Sequence, residues 1–240
     1  MAQFQTLFQR PDRICDPLYV LTTVFNSPRF RSRWKLYEDF ARMVEQSGAI
    51  LYTVEVAFGD REFAVTDPNN PRHLQLRTTH ELWLKECALN LLAQRLPCDW
   101  KYVAWIDADI RFARPDWDDE IVQQLQHVNI LQPWTQAFDL NADYEITGTM
   151  QQSIGWAVSE GLPVRPSPYY YYGGGGEYGE FYHPGYAWAT RRDIWDGLGG
   201  LLDTPILGSA DNYMAQSLLG QVEVIIPGGV AQPYRDAILE

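Results

Sequence analysis

Residues 18–25, LYVLTTVF, form an unbroken apolar and β-branched run. A run of this kind suits a strand buried on both faces, as in a parallel sheet. Asn26-Ser27-Pro28 stop it and open a helix expected over residues 30–46, with Gly48 as its closing cap. A second buried strand is expected over residues 49–56. Strand, helix and strand in this order call for a right-handed crossover between parallel neighbours.

The same reading extends outward. Residues 59–77 carry Pro, Asn and Asp and read as a long loop. Thr79 is placed to cap a helix over residues 81–95, and Pro97 ends it. YVAWI, residues 102–106, reads as a third apolar strand. A helix is expected at 117–125 and strands at 129–133 and 185–190. Helices follow at 191–198 and up to about 219, the latter capped by Ser209 or Asp211. A strand at 222–226 and a helix from 232 complete the pattern. The expectation is one α/β domain over residues 1–240, with a mostly parallel central sheet and helices on both faces. Residues 1–16 read as an irregular arm. PVRPSPYYYYGGGGEYGEFY, residues 163–182, reads as a mobile loop, because adjacent glycines cost too much backbone entropy for a regular element.

Of the 240 residues, 46% are hydrophobic and 21% charged, which suits a chain that buries its own core. The net charge of −12 opposes non-specific binding to nucleic acid or anionic membranes. The cluster Arg29, Arg31, Arg33 and Lys35 leaves room for a local basic groove or a solvated helix face. The three cysteines, Cys15, Cys87 and Cys98, have no metal spacing and read as free thiols. No apolar run approaches the ~20 residues that span a bilayer. The opening residues lack a leader pattern, so a cytoplasmic protein is expected.

The chemistry centres on Asp107-Ala108-Asp109, directly after the apolar strand. In extended backbone, carboxylates spaced i, i+2 share a face. At the carboxyl end of a parallel strand they border the edge where α/β sheets bind ligands. Two hard oxygen donors suit Mg²⁺ or Mn²⁺, which complete their shells with water and phosphate oxygens.

With these features in hand, the sequence resembles the GT-A superfamily of nucleotide-diphospho-sugar transferases, and within it small bacterial and phage-type glycosyltransferases. The resemblance covers residues 18–220. It rests on the opening strand with Asn26-Ser27-Pro28, on Trp83-Leu84-Lys85-Glu86 with Asn90, and on Asp107 with Asp109. It continues through His183-Pro184-Gly185-Tyr186-Ala187-Trp188 and Gly199-Gly200-Leu201 to Gly208-Ser209-Ala210-Asp211. It implies a sugar moved from a nucleotide diphosphate, a UDP- or GDP-sugar, with Mn²⁺ or Mg²⁺ on the pyrophosphate. Thr22, Thr23, Phe25, Glu55, Lys85, Asn90 and Asp107 are implied on the donor side. Gly185 and Trp188 are implied on the acceptor side, Asp107 and Asp109 on the metal, and Asp211 as general base. The residues alone also leave Asp211 open as a helix cap, Trp188 as core, Glu55 as surface charge, and Lys85 as partner of Glu81 one turn before it. No His follows His183, which makes His183 the remaining candidate for a third metal ligand beside a purely structural role. The acceptor is left open among a glycan, a lipid-linked sugar, a protein and a modified DNA base.

Other classes fit less well. A dehalogenase-type phosphatase carries its Asp pair on the first strand, and a phosphate-binding G-x-x-x-x-G-K-[ST] loop is missing. A nucleotidyltransferase would show a Gly-rich basic loop after the first strand, where LTTVFNSP stands. A nucleotide-sugar or glycan-binding module without turnover is the non-enzymatic alternative.

Overall fold

The computed structural model describes residues 16–166 and 182–239. The arm before residue 16 and most of the Tyr/Gly-rich loop lie outside the described residues. β1 (Leu18–Phe25), α1 (Arg31–Ser47) and β2 (Ile50–Phe58) form the expected crossover unit, and β1 pairs parallel with β2 from Tyr19↔Ile50 to Phe25↔Val56. α1 ends at Gly48, whose φ of 86° is the left-handed conformation that glycine adopts without a Cβ clash.

The chain continues through β3 (His73–Thr78), α2 (Lys85–Ala93), β4 (Tyr102–Ile106), α3 (Trp117–Gln124) and β5 (Ile130–Leu131). A hairpin follows, β6 (Gln136–Leu140) and β7 (Ile146–Gln152), and then α4 (Ile154–Ser159), β8 (Ala187–Arg191) and α5 (Arg192–Leu198). α6 (Ala210–Leu218), α7 (Val222–Ile225) and α8 (Gln232–Leu239) close the chain. The six-stranded sheet runs β3-β2-β1-β4-β8-β5; β8 lies antiparallel to β4 and β5, and the other pairs are parallel. The protein is an α/β fold with a mostly parallel central sheet.

Alternation along the strands splits the core into two layers. Tyr19, Leu21, Val103, Trp105 and Trp188 point to one face and pack with Ala88, Leu89 and Leu92 of α2, Ile154 of α4, Trp195 of α5 and Ala215 of α6. Leu18, Val20, Ala104, Ile106, Ala187 and Ala189 point to the other face and meet Phe40 and Val44 of α1 and Ile121 and Val122 of α3. Both faces of the central strands are therefore covered, which is why β1 and β4 read as continuous apolar runs.

Two expected elements differ. Residues 73–77, expected at the end of a loop, belong instead to β3, which lies parallel to β2 from Thr53↔His73 to Phe58↔Thr78. HLQLRT alternates with period two, and the Leu74 and Leu76 side chains pack onto the core while the rest of this edge strand stays polar. Residues 222–225 were expected as strand but form the one-turn helix α7. Ile225 and Ile226 bury against Tyr213 of α6 and Ile238 of α8, away from the sheet, so burial is satisfied without a ladder. Thr79 does not cap α2, which starts at Lys85 with no side-chain cap on Leu84.

Asn90 fixes how α2 meets the rest of its layer. Its side-chain amide donates to the Leu201 carbonyl at 2.8 Å and accepts the Leu201 N–H at 2.8 Å. A third bond reaches Asp203 at 3.2 Å. Asn90→Ala removes all of these and leaves the half-buried Leu201 backbone without its partners. A loss of about 1–3 kcal/mol is expected, read as a lowered Cm in urea unfolding with m unchanged.

Candidate functional site

The carboxyl end of β4 turns at once: the Ile110 N–H donates to the Asp107 carbonyl at 3.2 Å. The Asp107 N–H donates to the Tyr186 carbonyl at 2.9 Å, which pins the turn to the segment entering β8. The expectation that strand alternation aligns Asp107 with Asp109 is therefore corrected, since a turn and not extended backbone relates them. The two carboxylates nonetheless act on each other. Asp109 has its pKa raised, by desolvation first and then by the charge of Asp107, while Arg33 pulls the other way. Asp109 is exposed as a residue, so the neighbouring charge is the cause that persists when its carboxylate faces solvent.

Lys85 is the first residue of α2, and its ammonium pairs with Asp107 Oδ1. The side chains are 18% and 29% exposed, so the pair is largely out of water. Burial works against the lysine charge, but the attraction and hydrogen bond of Asp107 outweigh it, and the pKa of Lys85 lies above the ordinary lysine value. Glu86 and Asp211 add to the same field. The sequence alternative of a Lys85–Glu81 pair is not what forms.

Asp211 is the second residue of α6, not its cap; Ser209 takes the cap position in left-handed backbone and makes no capping bond. Negative charge in a first helical turn is favoured by the helix dipole. Asp211 Oδ1 accepts the Asn212 N–H at 2.8 Å. Oδ2 faces Gly185, where an added Cβ would stand 2.6 Å from Oδ2 and 2.9 Å from His183 Cε1. Only a residue without a side chain lets these two groups approach over the backbone at this point. Burial raises the Asp211 pKa, against the opposing pull of Lys85.

His183 accepts the Gly185 N–H on Nδ1 at 3.0 Å and stacks on Tyr186 at 4.0 Å and 11°. Burial lowers its pKa to about 4, so the ring is neutral at physiological pH. The bond to Nδ1 assigns the ring proton to Nε2. With Nδ1 on the Gly185 N–H and the ring stacked on Tyr186, this arrangement favours a structural role for His183 over that of a metal ligand.

Four other expected site residues are placed otherwise. Thr22 is fully buried, and its hydroxyl donates to the Ile106 carbonyl at 2.7 Å, tying β1 to the end of β4. Glu55 spends both carboxylate oxygens on the loop after β2, accepting the N–H groups of Ala64, Val65 and Thr66 and the Thr66 hydroxyl at 2.7–3.0 Å. Asn90 is the staple described above. Trp188 is 7% exposed, stands opposite Trp105 in the ladder, and donates its indole N–H to the Pro184 carbonyl at 2.6 Å. It offers no open face to a sugar. Thr23 and Phe25 lie at the carboxyl end of β1, where the Thr23 hydroxyl is buried without a hydrogen-bond partner among the described residues and Phe25 packs at the rim of the core.

The structure adds Glu86, which is 5% exposed and follows Lys85. Burial raises its pKa to about 7, with Lys85 opposing and Asp211 and Asp107 reinforcing. A sequence signal existed, because Glu86 stands two residues before the buried run Ala88-Leu89. Four carboxyl groups, those of Asp107, Asp109, Asp211 and Glu86, thus share an electrostatic neighbourhood with one buried ammonium.

Among the described residues no three His, Cys, Asp or Glu side chains gather around a common metal position. Asp107 and Asp109 would be the oxygen donors to such an ion, and one oxygen of Asp107 is engaged by Lys85. This donor set fits a divalent ion that brings most of its own ligands, as Mg²⁺ and Mn²⁺ do on phosphates, and does not fit one caged by protein alone. No helix among the described residues is long and apolar enough to cross a membrane.

No family model matches the chain, and no curated protein sequence matches it. Solved structures to which the chain is similar at low score include a Drosophila β-1,4-galactosyltransferase 7 variant in complex with manganese, UDP-Gal and xylobiose. It is 10% identical, with 85% of this chain and 62% of that chain covered at a TM-score of 0.39. A 4-diphosphocytidyl-2C-methyl-D-erythritol synthase from Anaerococcus prevotii is 12% identical, covering 93% and 95% at 0.44. A protein described as a nucleotide-diphospho-sugar transferase from Desulfovibrio desulfuricans is 14% identical, covering 85% and 75% at 0.39. The chain spans 62% of the galactosyltransferase's length. At these scores the likeness assigns neither family nor activity, and the chemistry has to come from the side chains themselves.

Glu86 gives this neighbourhood a pH signature. Its folded-state pKa of about 7 lies above the ordinary 4.5, so the folded protein holds an extra proton between those values. The stability contributed by this group is complete below about pH 4.5 and is lost as pH rises through about 7. Glu86→Gln, neutral throughout, is expected to melt higher than wild type at pH 8, with the gap closing toward pH 4.5. Thermal melts that show the same gap at every pH contradict a buried, proton-holding Glu86.

Proposed function

We propose that the protein is a glycosyltransferase that moves a sugar from a nucleoside diphosphate to an acceptor hydroxyl. The observation that carries this reading is the convergence of Lys85, Asp107 and Asp109 with Asp211 beside Gly185. Breaking a sugar–phosphate bond places negative charge on the leaving diphosphate, and a buried ammonium with a charge-compensated carboxylate pair is suited to receive it. Lys85, at the start of α2, supplies that charge without a proton being lost, because Asp107 holds it protonated. Asp107 and Asp109 would hold Mn²⁺ or Mg²⁺ carried in by the diphosphate, and when bound the ion supplies Lewis-acid stabilisation of the departing phosphate oxygen.

Asp211 serves as the base. The acceptor oxygen forms a bond to the anomeric carbon as the bond from that carbon to the diphosphate oxygen breaks, and the hydroxyl proton passes to Asp211 Oδ2. Oδ1 is held by the Asn212 N–H, so the carboxylate is oriented with Oδ2 toward Gly185. Burial raises its pKa, which strengthens it as a proton acceptor. Displacement of this kind inverts the anomeric centre. UDP- or GDP-sugars are the donor class. At Gly185 it is the backbone itself that lies against Asp211, since even a Cβ there would stand 2.6 Å from Oδ2.

Release of nucleoside diphosphate from UDP- and GDP-sugars in the presence of Mn²⁺ tests the assignment. Asp211→Asn is expected to slow release by about 10²-fold or more while keeping the rise in melting temperature that nucleotide and Mn²⁺ give together. Asp109→Ala is expected to lose that Mn²⁺-dependent rise. Normal turnover in Asp211→Asn removes it from the role of base, and a full Mn²⁺-dependent rise in Asp109→Ala removes the metal from the Asp pair.

A further inference from the structure

The Lys85–Asp107 pair has a consequence for how the site loads. Without ligand, the position beside Asp107 Oδ1 where a cation would be attracted is taken by the chain's own ammonium. The pair lies mostly out of water, and the nearby acidic groups Glu86 and Asp211 also act on Lys85. From the α1 side, Arg33 acts on Asp109. A divalent ion approaching alone would have to displace Lys85 from Asp107 or crowd it, bringing two cations onto one carboxylate. A diphosphate changes this, because its oxygens can accept the ammonium while the ion bridges to the carboxylates. Among the described residues no third carboxylate, His or Cys gathers with the pair, so an ion held by these two would draw on phosphate oxygens to fill its shell.

We infer that Lys85 is an internal counter-ion that makes divalent-metal binding conditional on a nucleoside diphosphate, so that ion and diphosphate load together and each strengthens the other. This rests on the sugar-transfer reading of the site and adds the coupling between its two ligands. The coupling is reciprocal: whatever factor the diphosphate adds to metal affinity, the metal adds to diphosphate affinity. In this scheme Lys85 holds one partner, Asp107, in the empty site and another, the diphosphate, in the loaded one.

The experiment measures Mn²⁺ binding by the electron paramagnetic resonance of the free ion, for wild type, Lys85→Met and Lys85→Arg, each checked for folding by thermal melting. Titrations are run with Mn²⁺ alone and with saturating UDP or GDP. Wild type is expected to bind Mn²⁺ at least tenfold more tightly with a diphosphate than without. Lys85→Met is expected to bind Mn²⁺ alone at least tenfold more tightly than wild type does, with a smaller gain from the diphosphate. Lys85→Arg, which keeps the charge, is expected to follow wild type. If wild type and Lys85→Met bind Mn²⁺ alone equally well, the counter-ion role falls while the metal site stands. If neither binds Mn²⁺ under any condition, the metal site itself falls and the inference with it.

Discussion

The carboxyl edge of this sheet is organised by the cost of holding acidic groups away from water. An isolated buried carboxylate is expensive, and the molecule meets that cost in different ways within one neighbourhood. Asp107 is compensated by an ammonium. Glu86 stays protonated up to about pH 7. Asp211 leans on a backbone N–H and a helix terminus. Asp109 reaches the surface. Groups whose protonation is pushed in different directions within one cluster are what proton transfer and anion handling require.

Much of the fold was legible because burial on both faces writes itself plainly into a strand. β1, β2 and β4 carry apolar residues at odd and even positions alike, and Gly48 marks the end of α1 with a conformation that other residues avoid. β3 was illegible for the opposite reason. It is an edge strand in which only Leu74 and Leu76 pack inward, and its neighbours Pro68, Asn69, Asn70 and Pro71 outweigh a two-residue signal. α7 was misread because Val222, Val224 and Ile225 are β-branched, a preference that gave way once Ile225 found a helical partner surface.

The site was legible as a set of residue types and less so as a set of roles. Lys85, Asp107, Asp109, Gly185 and Asp211 share one region, and the close approach at Gly185 explains why glycine stands there. Thr22, Glu55, Asn90 and Trp188 instead hold the framework together. Sequence cannot separate the two groups, because a side chain that binds a ligand and one that binds a neighbouring loop present the same donors and acceptors. Glu55 is the clearest case: its carboxylate meets the same kind of donors that a ribose would offer, but they come from residues 64–66.

The Asn90 staple carries a mechanical implication. Lys85 and Asn90 sit five residues apart on α2, about 7 Å along its axis. Asn90 grips the backbone at Leu201, and the chain runs on from there to α6 and Asp211. The residue that would steady the leaving group and the residue that would deprotonate the incoming one are therefore yoked to the same rod. A tilt of α2 would carry both jaws together, so the gap between them would survive movements that alter the mouth around it.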